Sequence, residues 1–250
     1  MARFFLPSEF EDALTDSLPK TILLEGEDAF HLSVSLRARI GDEVTLCSPK
    51  GMEYSCRIAS ISGGKKSPVV VCEPYKAEPS QNEPLHTVTL FQGMPKGKKT
   101  DLILQKCTEL GVGKVVFVYS DRAVPELREE EKKCSRFRRI AEEAAKQCGR
   151  GKRIPVSVMM TTEEAIAEMK QSDVAFVCYE EEGEKSLKSL ISSSYTSLAF
   201  FVGPEGGISE REVDLFRQAE IPTVTLGKRI LRTETAGSSV LSMILYEKEL

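Results

Sequence analysis

The stretch from Phe200 to Gly237, FFVGPEGGISEREVDLFRQAEIPTVTLGKRILRTETAG, constrains this chain more than any other. Two apolar runs, Leu198–Val202 and Thr223–Leu226, each empty into a loop of glycine, proline and charged residues that leads into a helical pattern. Successive strand–loop–helix corners of this kind fit an open α/β sheet, whose ligands bind at the carboxyl ends of its strands. In Gly203-Pro204-Glu205-Gly206-Gly207 the proline presets φ for a tight turn, and the paired glycines remove the Cβ atoms that keep a ligand off the backbone. Ser209 with Glu212 reads as a capping box, so a helix starts just past the glycines with its free N–H groups facing the loop. The second corner, Leu226–Gly237, carries Arg229 and Arg232 ahead of Thr233, which is expected as a helix N-cap with Glu234 favourable to the dipole. The N-cap reading leaves the two arginines unexplained; a bound anion or acidic partner would account for them.

From Thr87 onward the chain alternates strand patterns with helical ones. Strands are predicted at Thr87–Gln92, Val115–Tyr119, Ile154–Val158, Asp173–Tyr179, Leu198–Val202 and Thr223–Leu226. Helices are predicted at about 99–110, 130–148, 162–170, 185–192, 209–219 and 234–249, with Thr161/Glu164 as a further capping box and Gly111 and Gly149 as stops. A parallel sheet covered by helices follows. Its third distinctive strand end is the acid-rich segment Tyr179-Glu180-Glu181-Glu182-Gly183. The first third has a β rhythm instead: a short run at Thr21–Glu25, a helical spacing over Glu27–Arg39, and strands at Glu43–Ser48, Glu53–Ile61 and Pro68–Pro74. Pro74, Pro79 and Pro84 punctuate a polar connection, which divides the chain into a domain over 1–75, a linker over 76–84 and a domain over 85–250.

The net charge of −4 argues against a general nucleic-acid coat, but binding is decided by local patches. Between Lys132 and Arg153 nine Lys or Arg face only Glu142 and Glu143, a local balance of +7. The run contains Arg138 and Arg139 and ends in Gly149-Arg150-Gly151-Lys152-Arg153, a basic loop suited to phosphates, and Lys96-Gly97-Lys98-Lys99 makes a second one. A solvated helix face is the alternative. Seven scattered cysteines without a CxxC pair, and only His31 and His86, argue against a metal site and for a reducing compartment. Neither a Walker loop nor a GxGxxG fingerprint is present. The N-terminus lacks a signal-peptide core and no apolar run reaches the ~18 residues of a membrane span, so a soluble, cytoplasmic protein is expected.

Four motifs in order, Gln105–Val112, Glu143–Arg150, Gly203–Ser209 and Leu226–Ala236, resemble the RsmE family, bacterial methyltransferases acting on N3 of a uridine in 16S ribosomal RNA. The opening Arg3-Phe4-Phe5 and the β-rich first third are similar to that family's PUA-like RNA-binding domain, so the likeness spans the chain. One departure is Lys146-Gln147, where many relatives carry Glu-Gln. The resemblance implies an N-terminal PUA-like small β-barrel and a C-terminal SPOUT α/β domain with a mostly parallel sheet and a trefoil knot. It implies S-adenosylmethionine bound at a homodimer interface, and 16S rRNA of the small ribosomal subunit as partner, with no metal and no membrane. Carried over by motif, the cofactor residues are Tyr179, Gly203, Pro204, Glu205, Gly206, Gly207, Leu226, Gly227, Ile230, Leu231, Arg232, Thr235 and Ala236. Arg232 is implied to stabilise the uracil anion or a flanking phosphate, and Glu205 or Glu234 to take the proton. RNA contact falls to Arg3, Lys96, Lys98, Arg138, Arg139, Arg150, Lys152 and Arg153. A non-catalytic RNA-binding or ribosome-assembly protein, and a nucleotide-dependent small-molecule enzyme, remain as alternatives.

Overall fold

A computed structural model describes residues 2–12, 18–64, 66–123, 130–159, 161–180 and 185–250. The chain divides into two compact units, Met1–Glu83 with Ala145–Arg153, and Pro84–Ala144 with Ile154–Leu250.

In the first unit, strands β1 (Ala2–Phe5), β2 (Ile22–Leu24), β3 (Glu43–Cys47), β4 (Met52–Ser62) and β5 (Val69–Pro79) form one sheet in the order β1-β3-β4-β5-β2. Only the β1–β3 pair is parallel. Its core gathers Phe4, Leu6, Leu46, Tyr54 and Ile58. The helical spacing over Glu27–Arg39 becomes a short helix α1 (Gly26–Phe30) and one π-turn, His31–Ser35, closed by Leu36 N–H on His31 O; Arg37 then takes a φ of 56° and ends it.

The expected linker is strand over its first residues, because β5 runs to Pro79. Two circumstances let prolines sit there. β2 pairs only with Val70–Cys72, leaving the rest of that β5 edge without a ladder partner, and the register against β4 shifts between Ser55 and Cys56, opposite Pro74.

The loop Gly149–Arg153 differs from the expected open phosphate cradle. Its backbone N–H groups at Gly151 (2.8 Å) and Lys152 (3.1 Å) both donate to the Glu83 carboxylate, and Arg150 pairs with the same group at 2.8 Å. The glycine-rich loop does bind an anion, and that anion is the protein's own side chain. Arg150 is buried as a result, with 4% of its surface exposed. Arg153 donates to the carbonyls of Phe5 (2.8 Å) and Leu6, and Arg3 pairs with Glu53 at 2.7 Å. These three guanidiniums therefore have protein partners that an RNA would have to displace.

In the second unit β6 (Thr87–Gly93), β7 (Lys114–Val118), β8 (Val156–Met159), β9 (Val174–Cys178), β10 (Ser197–Val202) and β11 (Thr223–Val224) form a parallel sheet in the order β11-β9-β10-β6-β7-β8. Alternate residues of each strand point to opposite faces. Leu90, Phe117, Phe176 and Phe200 pack with α2 (Lys99–Glu109), α3 (Glu130–Cys148), α5 (Leu187–Ile191) and α7 (Thr233–Lys248). Phe91, Val116, Val177 and Phe201 pack with α4 (Thr162–Met169) and α6 (Glu210–Gln218). This is an α/β fold with helices on both faces. Both expected capping boxes form, and Gly111 and Gly149 end their helices at φ of 86° and 83°. Among the described residues no helix is long and apolar enough to cross a membrane.

Arg150→Ala is expected to cost about 1–3 kcal/mol, because it removes the charged partner of the half-buried Glu83 carboxylate and leaves only the Gly151 and Lys152 N–H donors. Lys152→Ala, at an exposed side chain, should cost little; paired denaturant melts check the contrast.

Candidate active site

The strand order reverses between β10 and β6, and at the carboxyl ends beside that switch lies a cavity of about 340 Å³. The two corners read from the sequence form its walls. Pro204 to Gly207 is a tight turn, with Gly207 N–H on Pro204 O at 3.0 Å and Gly207 at a φ of 73°. Beyond it Ser209 caps α6, while Glu212, fully buried, accepts from Ser209 N–H (3.0 Å), Asp121 N–H (3.1 Å) and the Thr162 hydroxyl.

The turn is clamped from three sides. Arg122 donates to Gly206 O at 2.8 Å. The Thr233 hydroxyl donates to Gly203 O at 2.7 Å and accepts from the buried Gln92 amide at 2.8 Å. From below, Gly93 abuts the Gly203–Pro204 peptide so closely that a Cβ there would lie 2.5 Å from Pro204 Cδ. Thr233 is thus not the N-cap. Arg232 holds that position, with extended backbone and no side-chain cap, and Thr233 turns inward as the first helical residue.

Lys99 lines the cavity and pairs with two carboxylates. Its ammonium lies 2.9 Å from Glu205 and 3.4 Å from Glu234. Burial works to raise the Glu205 carboxyl, but Lys99 and the backbone N–H groups of Glu205 itself and Lys96 outweigh it and hold that carboxyl below its usual range. Hydrogen bonding to Glu205 in turn raises Lys99. Arg232 is 83% exposed at the cavity mouth, 4.0 Å from Glu234. Burial raises the Cys178 thiol to about 12, so this lining residue is an inert hydrophobe at neutral pH.

Of the predicted cofactor residues, Tyr179, Gly203, Pro204, Glu205, Gly207, Leu226, Gly227, Ile230, Leu231, Arg232 and Ala236 line the cavity. Gly206 and Thr235 do not. Gly206 turns its carbonyl to Arg122, and Thr235, two residues past the inward-facing Thr233, is exposed on another face of α7. Glu234 stays outside the lining and touches it through Lys99 and Arg232. Of the acid-rich segment, Glu180 lines the cavity, while Glu181, Glu182 and Gly183 lie outside the described residues. Lys96, Lys98, Arg138, Arg139 and Lys152 are exposed, with Arg138 Nε on Val156 O at 3.2 Å. Sequence reasoning placed Lys99 in a basic loop suited to phosphates but not beside Glu205, and missed Gln92 and Gly93; the local signal for Gln92 was an amide near the end of a buried strand. Among the described residues no group of three or more His, Cys, Asp or Glu could hold a metal.

The family model for an RNA methyltransferase domain matches residues 81–245. The ribosomal RNA small subunit methyltransferase E of Bacillus subtilis is 35% identical, covering 100% of this chain and 98% of its own length. That of Aquifex aeolicus is 32% identical over 78% of this chain and 82% of its own. A crystal structure of the corresponding Neisseria gonorrhoeae protein bound to S-adenosyl methionine superposes with a TM-score of 0.83 at 28% identity, covering 98% of this chain and 97% of that one. The chain belongs to the ribosomal RNA small subunit methyltransferase E, or RsmE, family.

Two measurements probe the site's framework. Thr233→Val removes a buried donor and acceptor at once, and is expected to cost about 1–3 kcal/mol in a denaturant melt. Acid stability should also depend on Asp121, whose carboxyl is lowered to about 2 by its bonds to Arg211 and Ser209. A depressed carboxyl stabilises the fold above its unfolded value of 3.8 and loses that contribution as pH falls toward about 2. Asp121→Asn should therefore flatten the loss of stability across that window.

Proposed function

We propose that this chain transfers the methyl group of S-adenosylmethionine to N3 of a uridine in 16S rRNA of the small ribosomal subunit. The observation that carries the reading is the cavity built by GPEGG and the 226–236 corner at the strand ends of an RsmE-family chain. Its donor set fits the cofactor. Val202, Ile208, Leu226 and Leu231 offer apolar surface for an adenine, the Gly203 and Gly227 backbone admits close approach, and the charged Glu205 complements a cationic centre. The cofactor supplies a methyl group already activated by positive sulfur.

The chain's residues do the rest. Uracil N3–H is weakly acidic, so the N3–H bond must break and its proton leave as N3 gains the methyl group. Glu205 faces the cavity and Glu234 does not, which favours Glu205 as the proton's destination. Lys99 holds that carboxylate in place, and exposed Arg232 is free to swing toward a developing uracil anion or a flanking phosphate. Positioning of the two reactants contributes about 7 kcal/mol or more.

In this reading residues 1–75 form a PUA-like RNA-binding domain, 76–84 connect it, and 85–250 form a SPOUT domain with a trefoil knot. The knot reading is supported by the return of the chain from the edge strand β11 to start α7 beside Gln92 and Gly203, under the loop that follows β10. A homodimer is supported by the exposed Leu102, Met243 and Tyr246 on α2 and α7. RNA would meet Lys96, Lys98, Arg138 and Arg139 on the second unit and Lys152 on the first, where Arg3, Arg150 and Arg153 would have to give up protein partners to join them. The cytoplasm, where ribosomes are assembled, is the expected location.

A thermal-shift panel tests the assignment. S-adenosylmethionine and S-adenosylhomocysteine at about 100 times their dissociation constants should add about 2.7 kcal/mol of stability, and NAD or ATP none. The reverse pattern would point to a nucleotide enzyme, and no response at all to a non-catalytic RNA binder. Arg232→Ala should lower kcat about 100-fold in a methyl-transfer assay; an unchanged rate removes Arg232 from the mechanism.

A further inference from the structure

A second cavity, of about 390 Å³, opens at the carboxyl ends of β6 and β7, one strand over from the first. Its apolar walls come from Met94, Tyr119 and Phe137, and its basic rim from Lys96, Lys133 and Arg136. Phe137 is fixed against Phe117 with ring centroids 4.9 Å apart, and Arg136 is oriented by Asp101 at 2.5 Å. The size is that of a small-ligand pocket, and the lining suits a planar, uncharged ring carried between phosphates.

The two cavities share a wall. Gly93 abuts the Gly203–Pro204 peptide, Lys96 N–H donates to Glu205 at 3.1 Å, and the adjacent residues Lys99 and Thr100 face one cavity each. A transferase with two reactants needs two adjoining sites, and the group at their boundary here is the Glu205 carboxylate.

We propose that the second cavity is the acceptor site, which takes the target pyrimidine out of its base stack and into contact with Met94, Tyr119 and Phe137 while the basic rim holds its flanking phosphates. The proposal rests on the methyltransferase reading above and locates that reading's RNA substrate. An aromatic and apolar interior offsets the loss of base stacking, and the rim charges carry no sequence information but set depth and orientation.

Met94→Trp tests this in the full chain, because it fills the cavity without altering charge. With unmodified small ribosomal subunits and radiolabelled S-adenosylmethionine, kcat/KM for the subunit is expected to fall about 100-fold. The dissociation constant for S-adenosylmethionine should match that of the unsubstituted chain, which also shows that the variant is folded. A variant that binds the cofactor and transfers at the original rate overturns the proposal. Should Met94→Trp fail to fold, Lys133→Ala/Arg136→Ala decides. A KM for the subunit raised about 10-fold, with cofactor affinity kept, supports the site, and an unchanged KM overturns it. A failure of the unsubstituted chain to bind the cofactor or transfer methyl groups would instead strike the reading of the first cavity, so the two failures are separable.

Discussion

The second unit depends on one buried amide. Gln92, next to last in β6, has no exposed surface, and its Nε2 donates to Thr233 Oγ1 and to Gly93 O. Thr233 passes the connection on to Gly203 O. Strand, loop and helix start, separated by 111 and 30 residues along the chain, are thus joined at one point. Hydrophobic packing alone would leave α7 free to slide along the sheet. In a low-dielectric interior the chain of bonds from Gln92 Nε2 through Thr233 Oγ1 to Gly203 O fixes its register, because any shift would strand those donors. Gly237 shows the same tightness further along, since a Cβ there would come within 3.2 Å of Leu90.

Around that point backbone and side chain divide the work. The Pro204–Gly207 turn presents main chain to the cavity, and its support comes from the Arg122 and Lys99 side chains and the Lys96 backbone N–H on neighbouring elements. A loop built this way is held on several sides at little entropic cost, which suits a site that must keep a charged carboxylate beside its ligand.

Features written locally were legible from the sequence. The two capping boxes lie within four residues each, and the glycine stops are set by single φ values, so both formed as read. The alternation of strands and helices after Thr87 carried the parallel sheet, because a buried strand and an amphipathic helix have different periods. What local sequence did not show has a different cause. Thr233 looks like a cap from its neighbours alone, but its partner Gln92 is 141 residues away. Arg150 looks like a phosphate ligand until Glu83, 67 residues earlier, fills its loop. Residues 76–79 look like linker because prolines normally break strands, and only the shifted register and open edge of β5 show why these do not. Two of the thirteen expected cofactor positions, Gly206 and Thr235, lie outside the cavity lining, because a motif specifies a segment, whereas the direction each residue faces is set by its surroundings.

The first unit takes its last nine residues, Ala145–Arg153, from beyond the opening half of the second. Ala145 joins Phe5 and Cys47 in one small apolar cluster, and Gly151 and Lys152 supply the N–H groups that cover Glu83. During vectorial synthesis this unit therefore cannot close behind the ribosome as an ordinary N-terminal domain would. It stays unfinished, with Glu83 uncovered, until β6, α2, β7 and most of α3 have also emerged, so the order of translation couples the maturation of one unit to the appearance of the other.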